Sequence, residues 1–255
     1  MSRSEKIDLV DCPPLLITLS YVRTLAKYLA IFLVLCLFWS GSVIFPLNDL
    51  WSRNADIMAG LGSVWLIFVW AAVVPLAIGL KNRKRPRDHE PIDVLKSGLL
   101  VSLNAGIFEE LIYRWLRFSI ALILLPVMNF LLFGFMPDSE GLLHWLYRSF
   151  FVPFADFLTF GAMHDLLFHP ASWVVGAAII SANGAFYNDH QYNGVFNQIN
   201  AWFIGMALFY VMFHYGLLTA IVAHVLYDAV IFGCAALTVT WQPQRVYSRF
   251  FMFRA

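Results

Sequence analysis

The chain has 255 residues, of which 60% are hydrophobic and 13% are charged, and its formal net charge is +1. With a mean hydropathy of +0.71, this composition excludes an ordinary soluble domain, in which roughly 25% of residues are charged. The near-neutral charge gives no indication of nucleic-acid binding. The sequence therefore predicts a polytopic membrane protein whose first partner is the lipid bilayer.

Seven apolar stretches have roughly the length that a membrane-spanning helix needs, about 17 to 25 residues. In chain order they are 28–47, 60–80, 97–116, 118–136, 173–188, 199–213 and 217–240. A further stretch at 141–167 contains charged residues and a proline, so it either forms an eighth span or lies at the membrane surface or in a re-entrant loop. The prediction is an all-α transmembrane helical bundle of seven to eight spans.

The first 90 residues contain two of these spans and a basic loop. Because neither span contains a charged residue, we interpret both as scaffold. Loops rich in Lys and Arg remain on the cytoplasmic side of a membrane. The loop after the second span is therefore expected in the cytoplasm, since it contains Lys81, Arg83, Lys84, Arg85 and Arg87. With no linker or repeat in the sequence, we expect a single membrane domain over residues 1–255.

Polar residues enter the apolar pattern in the third span, at Glu109, Glu110 and Arg114. Neighbouring residues project about 100° apart on a helix. One glutamate can therefore face a cavity while Glu110 pairs with Arg114 one turn later. A glutamate in a poorly solvated pocket can act as a general base. The alternative is a structural ion pair near the lipid headgroups, where Arg side chains reach toward water.

Two further pairs have the same four-residue spacing. Phe186 and His190 lie at the end of the fifth span, which is rich in small residues and can therefore approach another helix closely. His224 and Asp228 lie inside the last span. Ionisable groups in membrane helices are costly and are usually functional, so these residues predict a buried polar site. The alternatives are an interfacial His190 and a structural pair of His224 with Asp228.

The order EExxxR, FxxxH, HxxxD on membrane helices resembles the CAAX prenyl endopeptidase and bacteriocin-processing family of intramembrane glutamate proteases. The resemblance covers about residues 97–240, which would form a protease-like core. It implies that Glu109 and His190 activate a water molecule, supported by the glutamate–arginine pair of the first motif. It also implies that His224 and Asp228 flank the scissile carbonyl and stabilise its oxyanion.

The chain departs from the family pattern in two places. A second FxxxH, formed by Phe160 and His164, lies between the first motif and His190. We favour His190, because small residues precede it and a proline and an aspartate disturb the other segment. Asp228 stands where the family more often has Asn, and an ionised carboxylate accepts hydrogen bonds but donates none. Asp228 is therefore either protonated or orients His224.

These residues predict an enzyme, a hydrolase that adds water across a peptide bond of a membrane-associated protein or peptide. The compact chain resembles the bacterial members of the family, which indicates the bacterial cytoplasmic membrane. No cofactor is expected. Zinc is the first alternative, because Glu, His and Asp all ligate zinc, although the sequence contains no HExxH. The second alternative is a non-catalytic immunity protein that binds a peptide.

Overall fold

A computed structural model describes residues 14–38, 56–136, 139–168, 173–191 and 194–244. These residues form helices and no β-strand, which confirms the all-α prediction. The helices are α1 (Pro14–Phe38), α2 (Ile57–Ser63), α3 (Trp65–Asn82), α4 (Pro91–Gly134), α5 (142–158), α6 (His164–Leu167), α7 (Trp173–Asp189), α8 (Val195–Tyr215) and α9 (Leu217–Thr240).

Four of these helices, α3, α4, α8 and α9, are long and apolar enough to cross a bilayer. They confirm a membrane protein with transmembrane helices, while the number of seven to eight spans stays a prediction. α1 includes the start of the predicted span 28–47, but residues 39–55 lie outside the described part of the chain. α7 has 17 residues, the short end of the range for a span.

The spans predicted at 97–116 and 118–136 form one helical segment, α4, and not two helices joined by a turn. A π-helical stretch, Glu110–Arg117, joins its two α-helical parts directly. The segment has 44 residues, so at about 1.5 Å per residue it is roughly 60 Å long. The prediction divided the sequence at Arg117. That side chain instead packs into the bundle, where its guanidinium lies 4.6 Å from the ring centre of Tyr28.

The doubtful stretch 141–167 consists of two helices, α5 and the four-residue α6. They are separated by Phe160 and Gly161, whose φ angles are +53° and +75°. Left-handed backbone of this kind ends a helix. The interruption favours a re-entrant or interfacial segment over a continuous eighth span.

Close packing of α4 against α9 positions the polar residues. A Cβ added to Gly98 would overlap Phe232, and one added to Gly106 would overlap Val225. The residue numbers run in opposite directions, so the two helices are antiparallel. Because glycine lets the backbones approach this closely, the EExxxR motif of α4 lies directly beside the HxxxD motif of α9.

The small residues of α7 let this helix pack closely against α4 and α8. Ala177 and Ala178 are fully buried, and a Cβ added to Gly205 of α8 would overlap Asn183 of α7. α7 also packs along α4, with the Tyr113 and Phe186 rings 5.1 Å apart. The FxxxH motif at the end of α7 is therefore held next to the other two motifs.

The basic loop and the end of α9 lie at the same end of the bundle. The backbone N–H of Arg87 donates to the carbonyl of Pro243 at 3.0 Å. The turn at Gly216 between α8 and α9 lies at the opposite end, since α9 has 24 residues between them, about 36 Å of helix.

Cysteines introduced at Asp88 and Gln244 should therefore be labelled from the cytoplasmic side, and a cysteine at His214 from the other side. The measurement is labelling with a membrane-impermeant maleimide in intact cells and in inverted vesicles, on a background lacking the three native cysteines. Labelling of positions 214 and 244 from one side would contradict this arrangement of α9.

Candidate active site

A cavity of about 290 Å³ lies inside the bundle among α4, α7, α8 and α9. Its walls include Glu109 of α4, His190 beyond the end of α7, and both His224 and Asp228 of α9. Four of the six predicted site residues thus face one cavity, although they come from three distant parts of the sequence. The other two, Glu110 and Arg114, are fully buried beside it.

Glu110 and Arg114 form a buried ion pair behind the cavity. Arg114 Nη1 lies 3.2 Å from Glu110 Oε1. The guanidinium also lies 4.1 Å from the ring centre of Phe186, within the range of a cation–π interaction. Both residues belong to the π-helical stretch of α4, and such stretches are frequent at functional sites. Arg114 therefore connects the first motif to the phenylalanine of the second.

His224 is oriented by Glu110. Its Nδ1 lies 2.8 Å from Glu110 Oε1, and since an ionised carboxylate can only accept, Nδ1 carries the proton of this hydrogen bond. The other ring nitrogen, Nε2, lies 3.9 Å from Glu109 Oε2 and 3.8 Å from Asp228 Oδ2. These two distances exceed a hydrogen bond. The orienting role that we considered for Asp228 thus belongs to Glu110 in this structure.

Glu109 faces the cavity and is held by a residue of α1. The hydroxyl of Tyr21 donates to Glu109 Oε1 at 2.7 Å, while the Tyr21 ring stacks on Phe108 with centres 5.8 Å apart. Tyr21 precedes the first predicted span, 28–47, so this contact adds a residue of α1 to the site. The sequence contains only a weak signal for it, because a tyrosine near a span end usually marks the membrane interface.

His190 lies one residue after the end of α7. Its Nδ1 is 2.7 Å from the carbonyl oxygen of Phe186. A carbonyl only accepts, so this bond places a proton on Nδ1 and leaves Nε2 as the basic nitrogen of the neutral ring. The spacing of the FxxxH motif thus fixes the tautomer of its histidine through the backbone of its phenylalanine.

The second FxxxH lies away from the cavity. The His164 side chain is 59% exposed and contacts Asp156 Oδ2 at 3.0 Å, and Phe160 is 94% exposed. We therefore expect His190→Ala to remove activity and His164→Ala to leave it near the wild-type rate. The measurement is the rate of peptide cleavage by each purified variant. The opposite ranking would move the site to the α5–α6 region.

Besides Tyr21, three further residues at the site were not predicted from the sequence: Trp70 of α3, Asn200 of α8 and Tyr227 of α9. Trp70 Nε1 donates to Asn200 Oδ1 at 2.8 Å, and Asn200 Nδ2 donates to the Tyr227 hydroxyl at 3.0 Å. Asn200 and Tyr227 both line the cavity. An asparagine inside a predicted span, and a tyrosine beside the predicted Asp228, were the available signals.

An apolar groove of about 700 Å³ adjoins the cavity. It runs between α3 and α8, with Trp70, Val73 and Phe203 among its walls. Asn200 and Ile204 line both the groove and the cavity. An apolar segment in the groove would therefore lie next to the polar residues of the cavity.

No family model, no curated protein and no solved structure matches this chain. The likeness to CAAX proteases rests on three short motifs and stays a prediction. Within the described residues, no group of three or more His, Cys, Asp or Glu side chains is arranged to hold a metal ion. Glu109, His224 and Asp228 are chemically suited to zinc, and His224 Nε2 lies 3.9 Å from Glu109 Oε2 and 3.8 Å from Asp228 Oδ2.

Proposed function

We propose that this protein is an intramembrane endopeptidase that hydrolyses a peptide bond of a membrane-associated protein or peptide, in the cytoplasmic membrane of a bacterium. One observation carries the proposal: Glu109, His190, His224 and Asp228 line a single cavity within a bundle of apolar helices. Four ionisable side chains are expensive to place there, which favours a functional site over a structural one.

In the proposed reaction, Glu109 is the general base and His190 helps to position the attacking water. The water oxygen forms a bond to the carbonyl carbon as its proton passes to Glu109. When the C–N bond of the tetrahedral intermediate breaks, that proton is delivered to the leaving amine. One peptide and one water become a carboxylic acid and an amine. Positioned acid–base catalysis of this kind contributes about 10²–10⁴-fold to a rate.

The opposite wall of the cavity would hold the carbonyl group. Glu110 binds Nδ1 of His224, so Nε2 is the nitrogen left for the cavity. To donate to an oxyanion Nε2 must also carry a proton, so the proposal requires the doubly protonated ring. Asp228 lies one helical turn further along α9. Arg114 balances the charge of Glu110. Fixed polar groups in a site that excludes water stabilise a developing oxyanion better than solvent does, so the buried pair serves the proposed chemistry by keeping His224 in place.

The groove beside the cavity supports a membrane-associated substrate. Its walls are apolar side chains of α3 and α8 together with Phe160, apart from the polar Asn200, and they would accept the hydrocarbon side chains of a peptide lying in the bilayer. The test is incubation of the purified protein with a set of hydrophobic membrane peptides, followed by mass spectrometry. We expect fragments from the wild type and none from Glu109→Ala. Peptide binding without fragments would instead support the non-catalytic immunity protein.

Zinc dependence is the alternative for the same site, and it makes opposite predictions. If Glu109 activates water without a metal, cleavage should persist in strong chelators, and Asp228→Asn should be tolerated or raise turnover, because an amide can donate to the oxyanion. If Asp228 binds zinc, the same change removes an anionic ligand. Loss of cleavage on chelation, its return with added zinc and a damaging Asp228→Asn would together establish the metalloenzyme.

A further inference from the structure

The hydrogen bonds that join Trp70, Asn200 and Tyr227 have a fixed direction. An indole N–H can only donate, so the 2.8 Å contact from Trp70 Nε1 identifies its partner atom on Asn200 as the carbonyl oxygen. The amide nitrogen of Asn200 then points the other way, toward Tyr227. Trp70 on α3 thus sets the orientation of an amide that lines the cavity.

The direction of these bonds determines whether the Tyr227 hydroxyl can still donate a hydrogen bond. Its oxygen accepts from Asn200 Nδ2 at 3.0 Å. A phenol has a single proton, and no hydrogen bond from Tyr227 to an acceptor is present in the described part of the chain. Tyr227 is 4% exposed and lines the cavity with His224 and Asp228, which lie on the same face of α9. Its proton is therefore available to a molecule in the cavity.

An oxyanion in this cavity would need such a donor. Asp228, when ionised, only accepts hydrogen bonds. His224 uses Nδ1 for Glu110, which leaves one nitrogen for the cavity. A hydroxyl whose oxygen already accepts a hydrogen bond is polarised toward donation, because successive hydrogen bonds strengthen one another.

We propose that Tyr227 is a catalytic residue that donates its hydroxyl proton in a hydrogen bond to the carbonyl oxygen of the substrate and to the oxyanion formed from it. Asn200 and Trp70 are positioning residues that keep this hydroxyl directed into the cavity. The proposal rests on the proposed endopeptidase function, and it supplies the donor that Asp228 lacks. The hydroxyl stays protonated throughout, so the balance of the hydrolysis is unchanged.

The first test is Tyr227→Phe, which removes the hydroxyl and keeps the ring. Loss of one oxyanion donor lowers kcat by about 10²–10³-fold, and we expect a loss of this order with little change in KM. Tyr210→Phe on α8 is the matched control, because Tyr210 does not line the cavity. We expect Tyr210→Phe to cleave at the wild-type rate. Thermal unfolding of both variants shows whether they are folded.

The second test concerns Trp70. In Trp70→Phe the amide of Asn200 is free to rotate and accept from Tyr227, so kcat should fall although the altered residue lies outside the cavity. In a Tyr227→Phe background the same change should have no further effect on kcat, because the hydroxyl that it positions is already absent. KM should rise in both backgrounds, because Trp70 also lines the groove. If Trp70 had only a structural role, Trp70→Phe would instead lower kcat by the same factor in both backgrounds. Trp70→Phe also carries the test if Tyr227→Phe fails to fold.

The third test is rescue. Asp228→Asn should raise the kcat of Tyr227→Phe by a larger factor than it raises that of the wild type, because the new amide replaces the missing donor. A hydrophobic peptide aldehyde, whose hydrate imitates the tetrahedral intermediate, gives a readout without turnover. We expect it to bind the wild type more tightly than Tyr227→Phe.

The outcomes separate the two proposals. If the wild type cleaves peptides and Tyr227→Phe cleaves them equally fast, the donor role of Tyr227 is wrong while the endopeptidase function stands. If the wild type neither cleaves any peptide nor binds the aldehyde, both are wrong. Equal losses from Trp70→Phe in the two backgrounds would overturn the positioning role of Trp70 and Asn200.

Discussion

Glu109→Gln should lower the rate of peptide cleavage by about 10²–10⁴-fold, the usual contribution of a general base, and leave the protein folded in the membrane. Glutamine has the shape of glutamate, and its amide oxygen can still accept the hydrogen bond from Tyr21. It cannot take a proton from water at neutral pH. The measurement is the initial rate of product formation by mass spectrometry, together with the unfolding temperature of the purified variant.

The matched control for this experiment is Glu140→Gln. Glu140 carries the same functional group, but its side chain is 61% exposed and pairs with His144 at 3.3 Å, away from the cavity. The control should cleave at the wild-type rate. If Glu109→Gln cleaved as fast as Glu140→Gln, the assignment of Glu109 as the general base would be wrong.

Arg114→Ala should destabilise the protein by about 3–5 kcal/mol, the cost of removing one partner from a buried ion pair. Both Arg114 and Glu110 are fully buried, so the substitution leaves a carboxylate without a counter-charge and also removes the contact with the Phe186 ring. The free energy of unfolding can be measured by titration with a denaturing detergent in mixed micelles. Activity should fall as well, because Glu110 positions His224.

Arg148→Ala provides the comparison for this loss of stability. The Arg148 side chain is 66% exposed and lies 3.9 Å from Glu140, and exposed pairs contribute only about 0–1 kcal/mol. The double variant Glu110→Gln, Arg114→Met should be more stable than Arg114→Ala, because it leaves no unpaired charge. Equal effects of Arg114→Ala and Arg148→Ala would contradict the role of the buried pair.

The sequence predicts the helices well where apolar runs end in polar turns. The basic loop at 81–87 and Gly216 bound helices in the structure as they do in the apolar pattern. The prediction failed at Arg117, because a charge in an apolar run can mark either a loop or a buried contact. The contact of Arg117 with Tyr28 joins residues 89 positions apart. The local pattern of apolar and charged residues cannot predict such a contact.

The contacts of the site also divide into those that the sequence predicts and those that it does not. Pairs four residues apart, such as Glu110 with Arg114, can be read from the sequence because helical geometry places them together. The bond from His224 to Glu110 spans 114 positions, and that from Trp70 to Asn200 spans 130. These contacts depend on which helices pack together. The motif residues were therefore predictable, whereas Tyr21, Trp70, Asn200 and Tyr227 required the tertiary structure.

We propose above all that Glu109 and His190 catalyse the addition of water to a peptide bond in this cavity. The most direct measurement is incubation of the wild-type protein in lipid nanodiscs with hydrophobic membrane peptides in ¹⁸O-labelled water, followed by mass spectrometry of the products. The proposed reaction predicts new amino-terminal fragments that carry ¹⁸O in their terminal carboxyl group, and none with Glu109→Gln. Intact peptides that remain bound to the wild-type protein, with no labelled fragment, would contradict it.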